Sequence, residues 1–561
     1  MKPRLFTILT LLALPMLLMG VIHAQTTAST PAEVAIGTIT RVSVASDGMQ
    51  GNDASGGRPS ISADGRYIVF ASSASNLVNG DTNDVGDVFV HDRQTRQTSR
   101  VSVASDGTQG NGVSYNPSIS ANGRYVAFTS IANNLVAGDT NGQADIFVHD
   151  RQTGQTSGVS IASDGTQGNI HSTGPASLSA DGRYVTFSSG ANNLVPGDTN
   201  NSVDVFVHDR QTGQTSRVAV ASGGTQGNSF STFASISADG RYVAFDSVSS
   251  NLVPGDTNEW SDIFVHDRQT GETGRVSIAS NGTEGNYWSW NPSISADGRY
   301  VAFESYASNL VPDDTNGFFD VFVYDNLTGQ TSRISVASDG SQGSNDSQQQ
   351  VTISADGRYV AFVSSASNLV AGDTNGYEDI FIHDRHTEQT GRISVASNGM
   401  QGNEDAYMPS ISADGRYIAF GSTASNLVSD DTNDASDVFV HDRGFLGPQL
   451  SINYPTGAPG SYFTLNGDSF VPDTVATVTV NGVSLGTIAI DGSGGFQFLL
   501  STANADEGAY FVTVTGGGVA TVGFILDDGE PLRQEEGNGP LFDVPAGTAL
   551  TQFTYIPAVT R

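Results

Sequence analysis

The pattern Asp-Thr-Asn-x-x-x-Asp occurs seven times in the chain. Side-chain oxygens at relative positions 1, 3 and 7 are the donors a hard cation such as calcium takes, and the main-chain carbonyl at position 5 could add another. The copies supply Asp81, Asn83 and Asp87; Asp139, Asn141 and Asp145; Asp198, Asn200 and Asp204; Asp256, Asn258 and Asp262; Asp314, Asn316 and Asp320; Asp373, Asn375 and Asp379; and Asp431, Asn433 and Asp437. An acidic residue also stands at relative position 12, as Asp150 does counted from Asp139. A strand over 145–150 would set Asp145 and Asp150 roughly 16 Å apart, at about 3.3 Å per residue, so the loop offers a partial calcium site and not an EF-hand. Asp and Asn side chains also bond their own backbone in tight turns, which would fix the same bend without an ion. Both readings stand at this point.

A second set of chemistry-bearing residues is concentrated in one stretch. Tyr287, Trp288 and Trp290 fall together in "NYWSWNP", with Trp260 in the preceding Asp-Thr-Asn loop and Phe318 and Phe319 in the following one. The chain's three tryptophans therefore share one sector. Within it, the residue after "AF" is acidic twice, Asp246 and Glu304, where other copies have Ala71, Thr129, Ser188, Val363 and Gly421. Aromatic rings stack on the apolar faces of sugars or peptides while carboxylates bind hydroxyls or cations, so these eight residues form the candidate ligand site. The bland alternative is that the rings fill gaps between structural units.

Other catalytic arrangements lose support. His91, His149, His208, His266, His383 and His441 recur once per copy, with Tyr324 in the seventh, and residues dispersed in this way cannot converge on one metal. Cysteine is absent, as are the HExxH and GxSxG patterns.

These residues are positioned by a repeat. "SADGRY", once "SANGRY", places its central residue at Asp64, Asn122, Asp181, Asp239, Asp297, Asp356 and Asp414, 58 or 59 residues apart. Seven copies of that period mean a ring or a solenoid. Each copy reads as four strands: "PSIS" (a), the apolar run "RYVAF" (b), "DIFVHD" (c) and "SRVSVAS" (d), with the Asp-Thr-Asn loop joining b to c. The first d, at 40–46, precedes the first a, whereas the last copy stops after c. The N-terminal strand is therefore expected to complete the final unit and close a ring. The fold class read from the sequence is all-β: a seven-bladed β-propeller closed by the N-terminal strand, followed by a small β-sandwich.

"SADGRYVAF" followed by "DIFVHDRQTG" resembles the TolB-like, WD-type propeller repeat, over about 40–443, with alanine where that family usually has proline. The resemblance implies the propeller fold and, for the family, mostly protein or ligand binding.

The ends differ in composition. Residues 1–24 carry Lys2 and Arg4, an apolar run and a small residue at Ala24, as a secretory signal peptide does. The propeller is expected over 38–445. Residues 448–526 alternate short β-rich runs with turn signals such as Asn481-Gly482 and resemble bacterial immunoglobulin-like modules. Residues 527–540 read as an acidic, disordered linker, and 541–561 as a tail ending in "FTYIPAVTR", which resembles a sorting segment of exported proteins of filamentous phototrophic bacteria.

Charge narrows the partners: 25 basic against 58 acidic residues give a net charge of −33. Such a surface repels phosphate backbones, so nucleic acid is excluded, and after signal cleavage no segment is apolar enough to span a membrane. The expectation is a secreted or cell-surface bacterial protein without catalytic activity, binding an extracellular protein, peptide or glycan or serving as a scaffold, with calcium the one cofactor considered. Two alternatives remain open: a polysaccharide-acting enzyme using Asp246 and Glu304 as acid and base, and a structural cell-surface component.

Overall fold

A computed structural model describes residues 37 to 549, apart from 349, 445–447, 455, 469, 472–473, 492–493, 517–518, 535–536 and 538. Residues 1–36, which include the expected signal peptide, and residues 550–561 of the expected tail lie outside the described residues. The described chain is all-β, and no helix in it is long and apolar enough to cross a membrane.

Each repeat folds into a four-stranded antiparallel sheet of the kind that makes a propeller. In the second unit the strands are a, Ser114–Ile119; b, Tyr125–Ser130; c, Asp145–Asp150; and d, Gln155–Gly158, paired in that order. Strand d is displaced from its expected place: it is the "QTSG" segment, and the following Val-Ser-Ile turns back so that Ile161 bridges Gln167. Among the described residues the fourth strand of the last repeat's sheet is Thr38–Arg41, which pairs antiparallel with Asp437–Asp442.

The repeat's signature residues have visible physical reasons. Ser62 and the Arg66 N–H both donate to the Asp64 carboxylate, closing the "ADG" turn. Gly65 adopts φ +70°, and a Cβ there would lie 2.0 Å from the ring of Tyr417 in another unit, so only glycine fits. Arg66 then forks onto Asp92, the last residue of strand c, at 2.9 and 2.7 Å. That bidentate pair holds the Asp92 carboxyl well below the usual carboxylate range. The terminal Asp of "DIFVHD" is thus a structural anchor. The "ADG" turns of different units also bond to one another: Ala63 N–H to Ala121 O, Ala355 N–H to Ala413 O, and Ala413 N–H to Ala63 O.

Strands b and c are buried on both faces because units pack side by side. Phe70 and Phe89 stack with centroids 6.0 Å apart and are fully buried. One buried cluster joins Ile68, Phe70 and Phe89 of the first unit to Ala419, Val438 and Val440 of the last. Burying each such side chain stabilises by about 1.5–3 kcal/mol.

The recurring histidines belong to this packing. Thr98 donates its one hydroxyl proton to Val44 O in the neighbouring unit and so accepts from His91 Nδ1 at 2.9 Å. Burial pushes His91 down to about 4. His149, His208, His266 and His383 repeat the bond. At His441 the corresponding strand position is Ile39, and its Nδ1 is without a partner among the described residues.

Beyond 447, two sheets share one core that includes Phe463, Leu465, Phe498, Val512 and Phe524. The acidic segment from 527 is attached to them: Tyr462 N–H donates to Arg533 O and Ala458 N–H to Pro531 O. Leu541–Asp543 then runs parallel to Phe496–Ser501. This corrects the expectation of a disordered linker, because the segment's turns leave its backbone groups free to pair with strand edges.

Candidate functional site

The Asp-Thr-Asn loops are built around arginine. In six units the arginine closing strand d places Nη1 between the two aspartates: Arg41 with Asp431 and Asp437, Arg100 with Asp81 and Asp87, Arg217 with Asp198 and Asp204, Arg275 with Asp256 and Asp262, Arg333 with Asp314 and Asp320, and Arg392 with Asp373 and Asp379. These contacts run from 3.0 to 3.6 Å. The asparagines offer no oxygen there. Asn83 Oδ1 accepts from Val85 N–H at 3.2 Å, while its Nδ2 donates to Gly110 O at 2.8 Å and points at Asp87 Oδ2. Asn141, Asn200, Asn258, Asn316, Asn375 and Asn433 likewise accept from the main chain two residues on. The Asp-Asn-Asp donor set read from the sequence is therefore corrected in these six loops: a guanidinium stands between the aspartates and the amide presents its nitrogen. Burial raises Asp204 and Asp320 to about 6, with the arginines and hydrogen bonds pulling the other way. The arginine is legible after the fact, since it ends "QTSR" or "QTGR" in most copies; Gly158 replaces it in the second unit.

The aromatic residues do come together. Trp260 stacks on Tyr287 at 4.6 Å and meets Trp288 edge-on at 4.7 Å; Trp288 stacks on Trp290 at 5.9 Å, and Trp290 on Phe319 at 5.3 Å. All five are half-buried. Tyr306, which sequence reasoning missed, links the ends of the set by contacts of 5.0 Å to both Tyr287 and Phe319, and it is 38% exposed. Its signal was the position after the serine ending strand b, aromatic here and Ser73, Ile131, Gly190, Val248, Ser365 or Thr423 elsewhere. Phe318 is half-buried and takes part in none of these ring contacts among the described residues.

Asp246 and Glu304 are not on that surface. Asp246 is 4% exposed, accepts from Thr232 Oγ1 at 3.1 Å, and is raised by burial to about 7. Glu304 lies on strand b opposite Trp290, is fully buried, and accepts from Asn291 Nδ2 at 3.1 Å and from the Gln350 N–H. Both acids, which the sequence grouped with the rings as ligand contacts, are thus buried, and the acid–base pair lacks the access that a glycosidic bond would need.

Glu304 instead borders a cavity of about 140 Å³ lined by strand a residues of all seven units, among them Arg58, Phe233, Asn291, Gln350 and Ser410. Arg58, Asn116, Phe233, Asn291 and Met408 each carry φ between 44° and 59° at a bulge just before the strand resumes. Arg58 reaches across to within 5.5 Å of the Phe233 ring centroid. Burial lowers its pKa to about 10, against the opposing pull of Glu304.

No family model and no curated protein matches the sequence. Solved structures similar to the chain include an oligogalacturonate lyase, at 13% identity over 72% of this chain and 92% of that one, TM-score 0.45. They also include TolB from Acinetobacter baumannii, at 16% over 54% and 58%, TM-score 0.33. A third is the acylaminoacyl peptidase of Pyrococcus horikoshii, at 10% over 74% and 57%, TM-score 0.42. Enzymes thus stand beside TolB among these neighbours, which corrects the expectation of a chain marked as non-catalytic: propellers of this general kind occur in both classes. Likenesses at these levels say nothing of what this chain binds or converts.

Proposed function

We propose that the chain is an exported glycan-binding protein, with its seven sheets as the blades of a closed propeller and the rings of Trp260, Tyr287, Trp288, Trp290, Tyr306 and Phe319 as the recognition surface. Closure is supported by the strand Thr38–Arg41 in the last sheet and by the Ala413-to-Ala63 hydrogen bond. The two sheets after 447 would serve as an immunoglobulin-like spacer. The observation that carries the reading is the aromatic cluster built where two adjacent units depart from the repeat, with no ring of the set fully buried.

Stacked rings offer flat apolar faces to the CH faces of sugars, and the surrounding Asp, Asn and Thr side chains exchange hydrogen bonds with hydroxyls. The net charge of −33 selects neutral or cationic polymers over anionic ones. Depletion of the protein from solution by insoluble neutral polysaccharides and by chitosan tests the proposal. Binding to at least one, lost in Trp288→Ala and in Tyr306→Ala, is expected. Equal depletion of wild type and both variants, or depletion by none of the polymers, would refute it.

A further inference from the structure

The ring stack ends against a carboxylate. Asp346 Oδ1 accepts from the Phe319 N–H at 2.9 Å, and Phe319 stacks on Trp290 at 5.3 Å and meets Tyr306 at 5.0 Å. The backbone shows which position this acid fills. Trp288 O accepts from Tyr306 N–H, Asp346 O from Ser365 N–H and Asp405 O from Thr423 N–H, at 3.0 to 3.1 Å. Asp346 and Asp405 therefore stand in the sixth and seventh units where Trp288 stands in the fifth.

Many aspartates of this fold meet an arginine, as Asp92 meets Arg66 and Asp87 meets Arg100. Asp346 is half-buried and forms no ion pair among the described residues. Between Arg275 and Arg358 the basic residues are Arg299 and Arg333, and these are held by Asp325 and by Asp314 and Asp320. A carboxylate has two acceptor oxygens, so holding one main-chain N–H leaves its charge and further lone pairs for a ligand at the edge of the rings. Sugars stack by their apolar CH faces, with polar substituents around the rim of the sugar ring. An amino sugar stacked there carries its ammonium group at that rim, where a carboxylate makes a charge-assisted hydrogen bond with it; an acetamide or a hydroxyl in the same place brings no charge.

We propose that the ligand of the aromatic surface is a polysaccharide of amino sugars with unacetylated ammonium groups, one of which is bound by the Asp346 carboxylate beside Phe319 and Trp290. This rests on the glycan reading of the rings and narrows it from neutral or cationic polymers to cationic ones.

Calorimetric titration of the full-length protein with two oligosaccharides of equal length, one of glucosamine and one of N-acetylglucosamine, in mildly acidic buffer, tests this. Wild type is expected to bind the glucosamine oligomer about fivefold more tightly, the scale of one partly exposed ion pair. Asp346→Asn keeps an oxygen for the Phe319 N–H and should make the two affinities equal. Asp405→Asn makes the same change of charge one unit farther from the rings, where Asp405 Oδ1 accepts from the Glu378 N–H at 2.9 Å, and should leave the preference intact. Equal affinities in wild type, a preference that survives Asp346→Asn, or an equal loss in Asp405→Asn would overturn the proposal and leave the glycan reading standing. Binding of neither oligomer would overturn it as well, and depletion by the neutral polysaccharides then decides the glycan reading by itself.

Discussion

A single carboxylate in this protein is best understood through the cation beside it. Asp92 and its equivalents are held by forked arginines from the "SADGRY" turn, and in six units the loop aspartates by the arginine that ends strand d. Removing Arg275 takes the guanidinium away from three acids at once, Asp256, Asp262 and Glu284. Arg275→Met should therefore cost about 3–5 kcal/mol in urea unfolding, since breaking a buried pair strands an uncompensated charge. Gly65→Ala should be destabilising by more than about 1 kcal/mol, because its Cβ meets the Tyr417 ring and the backbone is left-handed. The aspartates were legible from their spacing. Their partner was not, because Arg275 lies 13 residues from Asp262 in the chain and becomes its neighbour only when strand d folds back along strand c. Asp246 and Glu304 were legible as departures from the repeat, but whether they face solvent depends on the neighbouring unit, which no local pattern reveals.

The strands themselves were read closely from alternation and turn residues, with strand d the exception. Its expected "SRVSVAS" segment splits because the Val-Ser-Val part turns back to bridge a glutamine, as Val103 does to Gln109, and only the preceding four residues stay in the sheet. Strand c carries the pH dependence of the element. His91, His383 and His441 are lowered to about 4 from an ordinary 6.5 by burial. The unfolded chain therefore takes up these protons first, so each histidine contributes stability above pH 6.5 that is lost as pH falls through 6.5 toward 4. Asp204 and Asp320 act in the opposite sense: raised to about 6, they favour the folded state as pH falls from 6 toward 4. Replacing His91 with Asn keeps a donor for Thr98 and removes one proton from the balance. The slope of unfolding free energy between pH 4 and 6.5 should then drop by up to about 1.4 kcal/mol per pH unit, measured by urea titration at several pH values.

For the whole molecule, the repeat made the series of four-stranded sheets readable, because equal periods and an out-of-phase first strand leave few other ways to pair every edge. A chain beginning after Ser46 lacks Thr38–Arg41 and leaves the edge of Asp437–Asp442 unpaired. It should unfold at a distinctly lower temperature and self-associate in light scattering. What repetition cannot encode is the ligand, which is read from the one sector where adjacent units stop being alike. All three tryptophans lie in that sector, so the protein's tryptophan emission reports on the proposed site and on no other part of the chain. Titration of neutral and cationic oligosaccharides, followed by tryptophan fluorescence, tests the central claim most directly. The account predicts a saturable change in emission with at least one of them, absent with polyanionic oligosaccharides and lost in Tyr306→Ala, which removes a contact and no fluorophore. Unchanged emission across the panel, or a change that persists undiminished in Tyr306→Ala, would contradict it.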